Sequence, residues 1–135
     1  MNNEMKIKEL IDNFYEIISG KAEEERNWHR FRNLFFKNAH LMPSRFNSNK
    51  ECVSTPIDVE SYILGLDNFL KTKDFYEYGL NYEINIFGNI AHVYSEYEAK
   101  NSLKDNEIIK IGVNLVQLIN DGDRWKILNM LWQDK

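Results

Sequence analysis

Two dipeptides, Gly88-Asn89 and Asp121-Gly122, constrain this chain more than any other feature. Each lies between runs in which apolar and polar side chains alternate, and each supplies the positive φ values that two-residue hairpin connections require. With Gly88-Asn89 as the loop, Phe87 faces Ile90, Ile86 faces Ala91, Ile84 faces Val93, Tyr82 faces Ser95 and Leu80 faces Tyr97. With Asp121-Gly122 as the loop, Leu118 faces Trp125, Val116 faces Ile127, Asn114 faces Asn129 and Gly112 faces Leu131. A third turn over Leu103 to Asn106 pairs Ser102 with Glu107. It sets Val93 against Val116, Ser95 against Asn114 and Tyr97 against Gly112.

Cross-strand partners share a face of a sheet. The three turns therefore predict one face that is apolar except for Tyr82, Ser95, Tyr97, Asn114 and Asn129. The opposite face carries Asn85, His92, Tyr94, Glu96, Leu115, Gln117, Leu128, Met130 and Trp132, and its end from Leu115 and Gln117 to Leu128, Met130 and Trp132 is too apolar to be left in water. The chain has little left to build a further layer, so a homodimer packed sheet to sheet through these residues is expected.

The remaining chain reads as cover for the first face. Ile7, Leu10, Ile11, Phe14 and Ile18 recur at helical spacing over Met5 to Ser19, ahead of Gly20. A second helix is predicted over Glu24 to Phe35, with Trp28, Phe31, Leu34 and Phe35 on one side. Asn38 to Met42 reads as a short strand stopped by Pro43, and Arg45 to Pro56 as a polar loop able to cover a pocket mouth. A third helix is predicted over Asp58 to Thr72, with Asp58 as its N-cap. From Phe75 the period changes to two, with Phe75, Glu77 and Gly79 opposite in phase to Tyr76, Tyr78, Leu80 and Tyr82.

Length and charge narrow the function classes. A chain of 135 residues suits one domain, residues 1–135, with its own core. The net charge of −4 gives no electrostatic case for nucleic acid or acidic membranes. No stretch is apolar for long enough to span a bilayer, and the N-terminus lacks the apolar core of a secretory signal. Cys52 is the one cysteine, which favours a reducing cytoplasm. His29, His40 and His92 are not spaced as a metal-ligand set, and no phosphate loop or nucleophile elbow occurs, so no metal or cofactor is expected.

The order helix, helix, short strand, helix, four long strands resembles the nuclear transport factor 2-like (NTF2-like) superfamily, also called SnoaL-like or ketosteroid-isomerase-like. Trp28 to Pro43, Gly88 to Lys100, Ile111 to Leu118 and Asp121 to Lys135 carry the resemblance. It is nearest to the uncharacterised bacterial members and implies an α+β cone: a curved mixed or antiparallel sheet wrapped over three N-terminal helices.

Enzymes of that superfamily place an Asp or His acid–base group inside the cone, yet the inner face assigned above carries no Asp, Glu, Lys or His. A base, if present, has to come from a helix, and His29 and then Asp67 are the candidates. The apolar interior suits a small, largely apolar ligand. Tyr82, Ser95, Tyr97, Asn114 and Asn129 would orient it, and Trp28, Tyr62 and Leu131 would enclose it. The competing expectations are an isomerase or lyase of the proton-transfer type and a dimeric interaction module without a ligand.

Overall fold

A computed structural model describes residues 1–135. Helix α1, Asn3–Ile18, begins where the Asn2 side chain accepts from the Met5 N–H at 2.8 Å. Its buried stripe includes Ile7, Ile11, Phe14 and Ile18, as the spacing predicts, together with Tyr15. The chain leaves it at Ser19 and passes to Gly20, whose backbone bonds both ways with Phe75, tying the end of α1 to the start of the sheet.

Helix α2 is only Trp28–Arg32, far shorter than the predicted Glu24 to Phe35. Tertiary pairing overrides local propensity there. Phe35 already sits in register with Ile127, and the Ile127 N–H donates to the Leu34 carbonyl at 2.8 Å. Strand β1, Phe35–Phe46, accordingly starts early. It also runs through Pro43, which lies between the stretch of β1 paired with β3 (Ile57–Asp58) and the stretch paired with β2 (Cys52–Ser54). In that gap the missing N–H is not demanded by a neighbour on that side. The expected loop over Arg45 to Pro56 is thus partly a hairpin. Helix α3, Val59–Leu70, is capped by Asp58, whose carboxylate accepts from Ser61 N at 2.7 Å.

The late strands are β4 (Tyr76–Phe87), β5 (Ile90–Lys100), β6 (Lys110–Asn120) and β7 (Trp125–Asp134). The sheet order is β2-β1-β7-β6-β5-β4, with β1 parallel to β7 and every other pair antiparallel. The helices lie over one face of this curved mixed sheet, and the core fills the space between. The fold is the expected α+β cone.

The predicted register holds across β5 and β6, where Val93 meets Val116, Ser95 meets Asn114 and Tyr97 meets Gly112. It also holds for β4 and β5 from Tyr82 to Ile90. It fails at two bulges. On β4, Gly79 rather than Leu80 faces Tyr97, Asn81 faces Glu96, and Leu80 is the unpaired extra residue, 49% exposed. On β7 the turn is longer than two residues, so Asn120 faces Trp125 and Leu118 faces Ile127; Leu128 is then the extra residue. Beyond it Val116 meets Met130 and Asn114 meets Trp132. Each bulge reverses which alternate side chains point inward.

Candidate functional site

The cone encloses a cavity of about 290 Å³ between α1, α3 and the sheet. From α1 it is lined by Phe14 and Ile18; from α3 by Tyr62, Gly65, Leu66 and Phe69. The sheet contributes Glu77, Tyr97, Lys110, Asn114, Met130 and Trp132. The walls are held by ring packing. Tyr62 stacks on Phe31 with centroids 5.8 Å apart and meets the edge of Trp132 at 5.7 Å.

The floor is a buried polar triad. The Asn114 amide Nδ2 donates to the Tyr15 hydroxyl at 2.8 Å, and the Tyr15 hydroxyl shares a 2.6 Å bond with Ser95 Oγ in which either can be the donor. This leaves the Asn114 amide oxygen to the cavity as an acceptor. Burial, more than any neighbour, pushes the Tyr15 hydroxyl up and keeps it neutral; the bonds from Ser95 and Asn114 oppose this only partly.

At the rim, Tyr97 donates to Asp134 Oδ1, and Asp134 Oδ2 lies 3.4 Å from the Lys110 ammonium. Burial, and then the bond to the carboxylate, raise the Tyr97 hydroxyl. Gly112 makes this arrangement possible, because any Cβ there would occupy the space of the Tyr97 hydroxyl and the Gln133 carbonyl.

The most distinctive group is Glu77. Its carboxylate has no hydrogen-bond or ion-pair partner in the protein. Burial raises it to about 7; the Lys110 ammonium pulls it down and Asp134 pushes it up. Its backbone is fixed from α1: Ser19 Oγ accepts from Glu77 N at 3.0 Å and donates to the Tyr15 carbonyl at 2.7 Å. The cavity therefore holds an unpaired carboxyl poised to exchange a proton near neutrality, beside a phenol and an amide oxygen. A group tuned this way can bind a cation when ionised, donate to an oxygen when neutral, or move a proton.

Of the residues expected to line the site, Tyr62, Tyr97 and Asn114 do so, and Ser95 stands one bond behind Asn114's partner Tyr15. The others are placed elsewhere. Trp28 packs edge-on against Phe31 at 5.5 Å, behind the wall. Tyr82 stacks on Tyr15 and donates to Asp12 Oδ1 at 2.6 Å, in a groove between α1 and β4. Asn129 and Leu131 fall on the opposite face of the sheet because of the Leu128 bulge; there they share a concavity with Asn85, His92, Tyr94 and Gln117. His29 is exposed on α2, with Asn33 as its neighbour. Asp67 lies on the far side of α3 among Glu23, Glu24, Glu25 and Lys71. Neither reaches the cavity.

The same bulge moves two residues expected at a dimer interface. Met130 is 1% exposed and Trp132 lines the cavity, so both belong to the interior. Tyr94, Leu115, Gln117 and Leu128 remain exposed on the outer face. Glu77 is the candidate residue that strand alternation concealed. Its signal was the company it keeps, Phe75 and Gly79, two positions that make no sense on a solvated face.

No family model matches the chain, and no curated protein matches it. Solved structures do. A protein of unknown function with a cystatin-like fold from Nostoc punctiforme is 13% identical, with a TM-score of 0.74 over 98% of this chain and 90% of that one. An NTF2-like protein with a cystatin-like fold from Novosphingobium aromaticivorans is 10% identical, with a TM-score of 0.74 over 97% and 80%. An NTF2-like protein of unknown function from Pseudomonas putida is 10% identical, with a TM-score of 0.71 over 98% and 88%. At such identities the likeness is one of fold, and the chain has the NTF2-like cone. No helix is long and apolar enough to cross a membrane.

Proposed function

We propose that the cone cavity binds a small, largely apolar molecule bearing a polar group that engages Glu77. The observation that carries this reading is a half-buried carboxyl without a protein partner, lining an otherwise mainly apolar chamber. Buried polar groups are ordinarily satisfied, and unsatisfied ones mark functional positions. The Asn114 amide oxygen is a second point of recognition, fixed in orientation by Tyr15. A second reading, an isomerase or lyase that moves a proton, rests on the same Glu77. It fills the acid–base role for which His29 and Asp67 are placed too far out.

Gly65 offers the test. It lines the cavity from α3, and a Cβ added there meets nothing within 4 Å. A tryptophan placed there is expected to reach across the mouth, and removing a mid-helix glycine favours the helix by up to about 1 kcal/mol. The expected result is that small aromatic and alicyclic compounds raise the melting temperature of the wild type but not of Gly65→Trp, with the variant's own melting temperature no lower. Equal shifts in both proteins, or none in either, would remove the cavity as the binding site.

The outer face supports a homodimer. Tyr94, Leu115 and Leu128 are 39%, 44% and 38% exposed on a sheet that no helix covers on that side. Leu115→Glu is expected to convert a dimer into a monomer on analytical ultracentrifugation while preserving the fold. A wild type that sediments as a monomer at micromolar concentration rules the interface out. One exposed, unpaired cysteine, Cys52, suits a reducing cytoplasm.

A further inference from the structure

We infer that the polar group of the cavity's ligand is a basic amine, bound as an organic ammonium by the Glu77 carboxylate within an aromatic enclosure. The inference rests on the binding reading above and deepens it.

Three observations converge. First, six aromatic rings line the chamber: Phe14, Tyr62, Phe69, Phe75, Tyr97 and Trp132. Ring faces carry negative potential and attract cations, most strongly where water is excluded. Second, two acceptors are free in the cavity, beside the Tyr62 hydroxyl, which can both donate and accept. The Asn114 amide commits an N–H to Tyr15 and turns its oxygen to the cavity, and the Glu77 carboxylate has no donor of its own. A ligand with N–H donors matches both groups; a ligand with only acceptors matches neither when Glu77 is ionised.

Third, the charges are unbalanced. Glu77 and Asp134 face a single ammonium, Lys110, which is committed to Asp134 at 3.4 Å near the exposed rim. The half-buried Glu77 carboxylate has no ion-pair partner of its own. A carboxylate or phosphate ligand would enter against that charge, whereas an ammonium neutralises it.

Linkage makes the inference measurable. The groups that face Glu77 are Lys110 on β6, Asp134 on β7, Tyr97 on β5, Tyr62 on α3 and Tyr15 on α1. The three phenols are held neutral by burial, Lys110 lies 3.4 Å from Asp134, and Glu77 is the group raised to about 7. An ammonium requires Glu77 ionised. Below its titration, binding must expel the carboxyl proton to the buffer, and affinity rises with pH by roughly tenfold per unit before levelling off near 7. A neutral ligand that accepts a hydrogen bond from protonated Glu77 shows the opposite slope.

The experiment is calorimetric titration of the full chain with benzylamine, benzyl alcohol and benzoate from pH 5 to pH 8.5, in two buffers of different ionisation enthalpy. The expected order is benzylamine first, benzoate last. Benzylamine should release a proton on binding below pH 7, and its affinity should climb with pH. Glu77→Gln should weaken it roughly thirtyfold and abolish the slope. If benzyl alcohol matches benzylamine, or affinity falls as pH rises, the ammonium assignment is wrong while the cavity reading stands. If none of the three gives heat, both fall together. The wild-type comparison of the three probes decides the matter even if Glu77→Gln fails to fold.

Discussion

Glu77→Gln should make the protein more stable at pH 8 by about 3 kcal/mol, and should leave it unchanged at pH 4. In the unfolded chain the Glu77 carboxyl ionises near its ordinary 4.5, whereas burial in the fold raises it to about 7. Between these values the unfolded chain sheds a proton that the folded chain keeps. Wild-type stability contributed by this group is therefore fully present below 4.5, declines as pH rises, and is lost above 7. Glutamine has nearly the same shape and no charge, so it escapes the decline. In a chain of this size the gain corresponds to roughly 10 °C in melting temperature at pH 8. Parallel melting curves at pH 4 and pH 8 test it. A variant that is no more stable than wild type at pH 8 would show that Glu77 is well solvated. The site's claim to function would weaken with it, since a destabilising ionisable group retained in a cavity is the mark of a functional one.

That this residue escaped a reading of the sequence has a physical cause. Alternation along a strand is read as continuous, and a single extra residue reverses it. The turns at Gly88-Asn89 and over Leu103 to Asn106 specify their hairpins locally, so Tyr97, Asn114 and Ser95 could be placed beneath the helices from sequence. The Leu80 bulge then turns Glu77 inward from the phase in which it appeared to face out. The Leu128 bulge exchanges Asn129 and Leu131 for Met130 and Trp132. Both bulges leave a trace in hindsight. In β7 the buried side chains are Trp125 and Ile127, at odd positions, and then Met130, at an even one, and around β4 the buried Phe75 and the half-buried Tyr82 are of opposite parity. The parallel pairing of β1 with β7 left no such trace, because it joins segments ~90 residues apart through tertiary contact. That pairing truncates α2, strands His29 on the surface and removes the expected helical base.

The bulges also give the cavity its carboxyl. Strict alternation would line the same space with Leu80, Asn129 and Leu131 and leave no carboxyl inside. Two local irregularities bring in a carboxyl and an indole instead, consistent with the frequent siting of bulges beside functional groups.

The largest loss of stability is expected from Phe31→Ala. Phe31 is 0% exposed and stands where four elements meet. Its ring centroid lies 5.4 Å from Phe14 on α1, 5.1 Å from Phe35 on β1 and 5.5 Å from Trp28 on α2, and it stacks on Tyr62 of α3 with 4° between the planes. Truncation removes those contacts and leaves a void that four separately anchored elements cannot close, so about 4 kcal/mol should be lost. Phe87→Ala deletes the same atoms at a position 82% exposed and should change stability by less than about 0.5 kcal/mol. Denaturant melts of both variants give the comparison. The consequence reaches the site as well: Tyr62 loses the face it stacks on, the wall it forms with Trp132 loosens, and probe affinity should fall in Phe31→Ala even at temperatures where the variant remains folded. A Phe31→Ala protein that keeps wild-type stability would mean that α2 is not the strut between α1 and α3. The cavity would then owe its shape to the sheet alone.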